Sequence, residues 1–233
     1  NVTGVQTCAL PIFTQSILGD EIKTAVISGP TFAGEVAAGL PTALTIASQS
    51  DDLTLQLTQV LHNQTFRTYT SKDMIGAQVG GACKNVLAIA AGTAYGLRFG
   101  ANTRSALITR GLKEIMRLGI EMGGQADTFM GLTGLGDLIL TCTDNQSRNR
   151  RFGLALGAGI DQETALTQIG QQVEGISAAR EAYSLSKKLN VNMPITEQVV
   201  NVIHHGLSPV EVMKAFMSRP PRAENGHEAM EHM

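Results

Sequence analysis

The sequence predicts a mainly α-helical protein in which the last strands of an α/β sheet precede an all-helical domain. Short apolar runs bounded by turn residues, which are typical of strands, occur only before residue 72. Helix-period patterns occupy most of the chain between residues 72 and 218. A chain of 233 residues with 43% hydrophobic content can form a substantial core.

The first part of the chain alternates strand and helix patterns. Strands are predicted at residues 24–27, 42–47 and 66–69, where apolar and β-branched residues are bounded by glycine, proline or polar residues. Residues 31–38 are amphipathic, and a second helix is predicted to begin at Asp51, which we expect to be its N-cap. Strand, helix and strand in this order indicate one edge of a Rossmann-type sheet.

The rest of the chain shows only helical patterns. We predict long helices at 72–97 and 103–122 and a glycine-interrupted helix at 125–140. Further helical segments are predicted near 160–173, 176–189, 194–205 and 208–217. The expected organisation is an α/β remnant at 14–71, a helical domain at 72–218 and a polar tail at 219–233. Residues 1–13 have no regular period and are predicted to be a non-native segment.

The composition excludes several classes of function. Lys and Arg total 18 against 20 Asp and Glu, and this net charge of −2 argues against a general binder of nucleic acid or anionic membranes. The three cysteines form no C-x-x-C pair, which favours a reducing cytoplasm. No uncharged apolar run is long enough to predict a membrane span. The histidines lack the spacing of metal ligands, so no metal site is predicted.

Lys84 is the residue that most clearly suggests chemistry. It lies in V-G-G-A-C-K-N-V-L-A-I-A-A at residues 79–91, which contains no other charge. A buried ammonium group either binds an anion or has a lowered pKa, and a lowered pKa suits a general acid near neutral pH. The neighbouring Asn85 adds neutral donors and an acceptor. The alternative is a lysine that reaches solvent from a core helix.

Asp137 is a second candidate, because it follows T-G-L-G at residues 133–136 and begins an apolar run. An aspartate in such a place is rarely buried without a partner, and Lys84 is the nearest suitable charge if the helices pack together. Thr141 lies four residues further on and shares a helical face with Asp137. A helix-capping aspartate after a glycine turn is the alternative.

Three arginines occupy four consecutive positions at 148–151, in a chain whose net charge is negative. Arginine binds phosphate oxygens in a bidentate manner, and the hydroxyl of Ser147 and the amide of Asn149 could complete such a site with Arg148. The alternative is an exposed run of charge at the surface.

Together these motifs closely resemble the bacterial NAD(P)-dependent glycerol-3-phosphate dehydrogenases. The resemblance extends from about residue 14 to about residue 222 and rests on S-G-P-T-F-A at 28–33, G-L-P-T at 39–42, G-G-A-C-K-N at 80–85, G-L-T-G-L-G-D-L at 131–138, T-C-T at 141–143 and S-R-N-R at 147–150. Several motifs in the expected order make a chance similarity improbable.

The resemblance implies a helical domain of the 6-phosphogluconate dehydrogenase-like type, preceded by the end of a truncated Rossmann domain. No G-x-G-x-x-G loop follows a strand in this sequence. We therefore expect the chain to represent the last two-thirds of such an enzyme, without the dinucleotide loop and without a further family lysine. The isolated chain is expected to have negligible dehydrogenase activity.

The resemblance also implies roles for individual residues. Lys84 would be the catalytic lysine, which donates a proton to dihydroxyacetone phosphate and, in reverse, accepts one from sn-glycerol 3-phosphate. The remaining substrate-binding residues would be Gly29, Thr31, Asn85, Asp137, Thr141, Ser147, Arg148 and Asn149. The residues in contact with the NADPH or NADH cofactor would be Ala33, Arg148, Gln172 and Glu174. The family further implies a cytoplasmic enzyme of phospholipid synthesis and allows a homodimer.

Two alternatives remain open from the sequence. The chain could belong to another dehydrogenase with this helical domain, which acts on a different hydroxy acid. It could also be a non-catalytic helical module that binds a partner or supports oligomerisation. Substitution of Arg148 distinguishes the first alternative from a dehydrogenase that acts on a phosphorylated substrate. A substrate without a phosphate group has little need of that side chain, so its turnover should change little.

Overall fold

The computed structural model of the chain describes residues 17, 19, 21–218 and 224, and its fold is mainly helical with one small sheet. The predicted segment 1–13 and nearly all of the predicted tail lie outside these residues. The strands are β1 Val26–Ser28, β2 Thr42–Ala47 and β3 Phe66–Ser71. The helices are α1 Ala33–Ala37, α2 Asp51–Leu61, α3 Met74–Gly96, α4 Ala101–Glu121, α5 Ala126–Met130, a π-helix Leu132–Gly136, α6 Asp137–Thr143, α7 Arg148–Gly157, α8 Gln162–Ile169, α9 Gly175–Lys188, α10 Pro194–His205 and α11 Pro209–Met217.

The strands form a three-stranded sheet in the order β1-β2-β3. Strands β2 and β3 are parallel and are joined through α2, with Thr42 opposite Phe66. Strand β1 is antiparallel to β2, with Val26 opposite Ala47. A parallel pair with an antiparallel edge strand is common in α/β sheets, and the predicted strand-helix-strand order is confirmed. Strand β1 begins and ends later than predicted, and β3 continues to Ser71.

The N-cap of α2 is Ser50, so the prediction that Asp51 fills this position is wrong by one residue. The Ser50 hydroxyl accepts a hydrogen bond from the Leu53 N–H at 3.3 Å. Asp51 and Asp52 occupy the first turn, where a negative charge is favourable beside the exposed N–H groups.

Helix α3 is the centre of the helical part, and α4, α6, α7 and α9 all pack against it. It begins after Asp73, whose carboxylate accepts hydrogen bonds from the N–H groups of Gly76 at 2.7 Å and Gln125 at 2.8 Å. By length and composition α3 could cross a membrane, but 72% of its most apolar window is buried inside the protein. This burial is expected of a core helix that is surrounded by other helices.

Three parts of the helical region differ from the prediction. Residues 125–140 form α5, a π-helix and the start of α6 rather than one interrupted helix, and residues 160–173 are helical only over Gln162–Ile169. Helix α7, which makes the most extensive contact with α3, is not predicted at all. The predicted helix at 194–205 is confirmed, because Pro194 at its start and Gly206 after its end mark both boundaries.

Four glycines bring α3 and α7 into direct backbone contact. A Cβ atom added at Gly92 would lie 2.1 Å from the Arg150 carbonyl oxygen, and one at Gly153 would lie 2.1 Å from the Ile89 carbonyl oxygen. Equivalent contacts involve Gly96 and Gly157, where an added Cβ would lie 2.3 Å and 2.2 Å from carbonyl oxygens of the facing helix. Only glycine permits this approach, which explains part of the unusually high glycine content of 25 residues.

A buried carboxylate connects α4 with the start of α10. Glu114 is 1% exposed and accepts hydrogen bonds from the N–H groups of Ile195 at 2.7 Å and Thr196 at 3.1 Å. The Thr196 hydroxyl donates a third bond at 3.2 Å. Burial outweighs these bonds and the charge of Arg117, and it raises the pKa of Glu114 to about 7.

Candidate functional site

A cleft of about 590 Å³ separates the loop after β1 from the helical part of the protein. Residues 26–29 and 31–34 form one side, and the other side is formed by α3, α6, the N-terminal part of α7 and the segment before α9. The residues of α3 that line the cleft share one helical face: Ala77, Gln78, Gly81, Lys84 and Asn85. Each predicted site residue except Gln172 lines this cleft.

Lys84 and Asp137 form an ion pair at the cleft wall. The Lys84 ammonium donates a hydrogen bond to Asp137 Oδ2, with side chains that are 22% and 3% exposed, respectively. The Thr141 hydroxyl donates to the Asp137 carbonyl oxygen at 2.6 Å and lies 3.3 Å from Asp137 Oδ1. The lysine is therefore held by a buried carboxylate while part of its side chain remains open to the cleft.

Burial raises the pKa of Asp137, whereas the charge and hydrogen bond of Lys84 and the hydrogen bond of Thr141 oppose that rise. The same low-polarity surroundings strengthen the electrostatic interaction of the pair. Removal of either partner would leave the other charge buried without compensation.

The π-helix before α6 brings Asp137 to Lys84. Its wide turn is closed by the Gly136 N–H, which donates to the Gly131 carbonyl oxygen at 3.1 Å. A Cβ atom at Gly80 would lie 2.6 Å from the Thr133 carbonyl oxygen, so α3 packs directly on the backbone of this segment. Such π-turns are frequent at functional sites, and here the turn determines where the aspartate emerges.

Three amide and carboxylate side chains connect α3, α7 and α9. Asn149 Nδ2 donates to Asn85 Oδ1 at 2.9 Å, and Asn149 Oδ1 accepts from the Gly175 N–H at 2.8 Å. Asn85 Nδ2 lies 3.4 Å from Glu174 Oε2. Arg148 forms an exposed ion pair with Glu174 at 3.9 Å. The predicted residues Asn85, Arg148, Asn149 and Glu174 thus form one network.

Ser147 is the N-cap of α7, and its hydroxyl accepts a hydrogen bond from the Arg150 N–H at 3.2 Å. The hydroxyl hydrogen remains available for a second group. Arg148 follows at the first helical position with a side chain that is 39% exposed. A helix N-terminus with a hydroxyl and a guanidinium group is suited to an anion.

The loop after β1 carries the remaining predicted residues. Gly29 has a φ of +152°, and a Cβ atom there would lie 2.9 Å from the Leu44 Cα, so this position requires glycine. The Thr31 hydroxyl donates to the Gly29 carbonyl oxygen at 3.2 Å. Across the cleft, Gln146 Nε2 donates to Glu35 Oε1 at 2.8 Å. This contact holds α1, which carries Ala33, against the segment before α7.

Gln172 is exposed and does not line the cleft, whereas its neighbour Gln171 does. The predicted cofactor contact of Gln172 therefore finds no support in this geometry. The sequence does not single out Gln78, which is 8% exposed and lines the cleft. Its spacing from Gly81, Lys84 and Asn85 on one helical face is the signal that could have identified it. Among the described residues, no group of three His, Cys, Asp or Glu side chains could hold a metal ion.

A mainly helical domain that follows the end of an α/β sheet is a fold that this chain shares with solved glycerol-3-phosphate dehydrogenases. The enzyme from Coxiella burnetii matches with a TM-score of 0.88 and 47% identity over 91% of this chain and 65% of that chain. The enzyme from Dunaliella salina matches with a TM-score of 0.78 and 25% identity over 90% of this chain and 38% of that chain.

The sequence comparisons agree with the structural ones. The profile described as the NAD-dependent glycerol-3-phosphate dehydrogenase C-terminus matches residues 73–214, and the corresponding N-terminus profile matches residues 9–54. The chain therefore belongs to the NAD-dependent glycerol-3-phosphate dehydrogenase family.

Two curated relatives, both named glycerol-3-phosphate dehydrogenase [NAD(P)+], illustrate the similarity. The protein from Shewanella pealeana is 58% identical over 208 residues, which are 89% of this chain and 61% of the relative. The protein from Aeromonas hydrophila is 57% identical over 211 residues, which are 90% of this chain and 63% of the relative. The chain thus spans about three-fifths of the length of the relatives it matches.

Proposed function

We propose that this chain supplies the substrate-binding and proton-donating part of a glycerol-3-phosphate dehydrogenase. The reaction is the reduction of dihydroxyacetone phosphate to sn-glycerol 3-phosphate in the cytoplasm, with NADH or NADPH as the reductant. The observation that carries this proposal is the buried pair of Lys84 and Asp137 beside a cleft that also holds the arginine-bearing start of α7. Assembly as a homodimer stays a prediction.

Lys84 is the proposed general acid. As the carbonyl of dihydroxyacetone phosphate is reduced, electron density moves to its oxygen, and the Lys84 ammonium gives that oxygen a proton. The Asp137 carboxylate fixes the ammonium group and stabilises its charge before the transfer. In the reverse direction, neutral Lys84 accepts the proton of the hydroxyl group. Thr141 keeps the carboxylate oriented through its bond at 3.3 Å.

The start of α7 is the proposed phosphate site. Ser147 can donate its hydroxyl hydrogen to a phosphate oxygen because the hydroxyl oxygen already caps the helix. Arg148 supplies a half-exposed guanidinium group, and the helix N-terminus favours the negative charge. Asn149 uses one amide hydrogen to hold Asn85, and its second hydrogen is free for the phosphate.

The cleft also fits one end of a nicotinamide cofactor. The Ser28 hydroxyl and Gln78 Oε1 are buried at the cleft and have no hydrogen-bond partner among the described residues. Together they suit a ligand group that both donates and accepts, as a carboxamide does. Ala33, Arg148 and Glu174 are the residues proposed to hold the rest of the cofactor in this chain. When bound, the cofactor supplies the hydride for the carbonyl carbon.

A chimaeric enzyme tests the proposal directly. Residues 21–218 of this chain would replace the corresponding segment of the Shewanella pealeana relative, and oxidation of NADH or NADPH would be followed with dihydroxyacetone phosphate. We expect turnover, and we expect Lys84→Met to lower kcat by about 100-fold or more with a small change in KM. Lys188→Met, an exposed lysine at the end of α9, is the matched control.

The chimaera also separates the phosphate substrate from other hydroxy acids. Arg148→Gln is expected to raise KM for dihydroxyacetone phosphate, because the variant loses a charged contact with the phosphate group. Undiminished kcat in Lys84→Met, or turnover only with an unphosphorylated hydroxy acid, would refute the proposed function.

A further inference from the structure

Arg150 is a buried cation that has no acidic partner within the described part of the chain. It is 4% exposed, and none of the ion pairs formed by the described residues includes it. Its Nη1 donates to Asn145 Oδ1, and its guanidinium carbon lies 5.0 Å from the centre of the Tyr95 ring. Its Nε is buried and has no hydrogen-bond partner among the described residues. The two described groups against the guanidinium, the Asn145 amide and the Tyr95 ring, are therefore neutral.

The position of Arg150 places it directly behind the cleft wall. Ser147, Arg148 and Asn149 line the cleft, whereas Arg150 does not. Its N–H is bonded to the Ser147 hydroxyl at 3.2 Å, and its side chain holds Asn145, two residues before Ser147. The guanidinium group therefore supports the turn that presents Ser147 to the cleft.

The charge of Arg150 also extends towards the catalytic wall. It opposes the burial that raises the pKa of the Cys142 thiol to about 12. Cys142 lies on α6 next to Thr141, so this positive charge acts on the helix that also carries Asp137.

A guanidinium group that is buried beside neutral groups destabilises the protein unless an anion binds close to it. Burial of a guanidinium group away from a countercharge is unfavourable, and an amide oxygen and an aromatic ring compensate for only part of the lost hydration. The adjacent cleft is open and carries hydrogen-bond donors at the start of α7. An anion bound beside Ser147 would be attracted by the charge of Arg150, which lies on the same helix turn behind the cleft lining.

We propose that Arg150 is a positioning residue of the anion site, which holds the turn before α7 and adds an uncompensated positive charge behind it. This charge favours dianionic over monoanionic phosphate groups, because its attraction grows with the charge of the ligand. The inference rests on the proposed function only in identifying the natural anion as the phosphate of the substrate. Arg148 makes the direct contact, and Arg150 acts through Asn145 and Ser147.

Phosphate binding by the full 233-residue chain tests the proposal. Inorganic phosphate and sn-glycerol 3-phosphate would each be titrated calorimetrically on both sides of the second pKa of that ligand. This pKa is about 6 for a phosphate monoester and about one unit higher for inorganic phosphate. The variants are Arg150→Met, which removes the charge, and Arg150→Lys, which keeps it. Arg180→Met, at an exposed position of α9, is the matched control.

We expect Arg150→Met to weaken binding of the dianion about tenfold and binding of the monoanion much less. Arg150→Lys should keep the preference for the dianion, and Arg180→Met should leave both affinities unchanged. A purely structural role would weaken both ionic forms alike in Arg150→Met, or would make Arg150→Lys as poor as Arg150→Met. Either result would overturn the proposal. If Arg150→Met does not fold, the preference of Arg150→Lys for the dianion is sufficient to test it: a retained preference supports the proposal, and a lost preference contradicts it.

The outcomes also separate this inference from the proposed function. A chain that binds neither phosphate nor sn-glycerol 3-phosphate contradicts both. A wild-type preference for the dianion that persists in Arg150→Met contradicts only the role of Arg150. Dianion binding that depends on Arg150, together with a chimaera that cannot reduce dihydroxyacetone phosphate, supports the anion site and contradicts the dehydrogenase.

Discussion

The buried carboxyl group of Glu114 makes the stability of this protein depend on pH in an unusual direction. Burial raises the pKa of Glu114 from 4.5 to about 7 in the folded protein. Between these two values the folded chain binds more protons than the unfolded chain. The free energy of unfolding therefore decreases as the pH rises through this interval, whereas a carboxylate with a lowered pKa would have the opposite effect.

The size of this change in the free energy of unfolding follows from the size of the pKa shift of Glu114. Each pKa unit corresponds to about 1.4 kcal/mol, so ionisation of Glu114 removes about 3 kcal/mol of stability between pH 4.5 and 7. The loss is not larger because the ionised carboxylate still accepts three hydrogen bonds at the start of α10. The contribution of protonated Glu114 to the free energy of unfolding is fully present below pH 4.5 and is lost above pH 7.

Urea unfolding at a series of pH values would measure this dependence. In Glu114→Gln the side chain cannot ionise, so most of the decrease between pH 5 and 7 should disappear. Glu121→Gln removes an exposed carboxylate from the same helix and should retain the wild-type dependence. Asp137, whose pKa is also raised by burial, leaves a dependence of the same sign in Glu114→Gln. An unchanged pH dependence in Glu114→Gln would refute the reasoning.

Two further predictions concern the packing around α3. Gly153→Ala should lower the free energy of unfolding by about 3 kcal/mol, because the new Cβ would lie 2.1 Å from a backbone oxygen of α3. Gly34→Ala, where the nearest atom is 3.9 Å away, should cost nothing, and equal losses in urea unfolding would contradict the packing argument. Asp73→Ala should cost about 2–3 kcal/mol because two backbone N–H groups lose their acceptor. Asp73→Asn should cost about half as much by the same measurement, and an equally large loss would indicate that the charge rather than the bonds matters.

The elements that the sequence predicts well are those with local signals. Strand β2 and helix α10 have the predicted boundaries, since turn residues and proline mark their ends. Helix α7 is missed because its sequence contains two glycines and three arginines, and its stability depends on contact with α3. Contact between distant segments overrides local propensity here.

In the candidate site, too, local sequence signals can be predicted, whereas contacts between distant segments cannot. Lys84 and Asp137 are noticeable in the sequence because a charge in an apolar run requires a partner, and the structure brings them together. The bonds from Asn149 to Asn85 and Gly175 cannot be predicted, because they join segments 64 and 26 residues apart. Gln171 rather than Gln172 reaches the cleft, in a loop where no period tells the two positions apart.

The glycine contact between α3 and α7 has a consequence for how sequence variation affects this protein. Lys84 lies on one of these helices and Ser147 caps the other, so the separation of the proposed proton donor from the proposed anion site is set by two backbones in contact. A methyl group at Gly92 would widen that separation without touching a ligand. Variants of these glycines that still fold should therefore behave like active-site variants, although they lie outside the cleft.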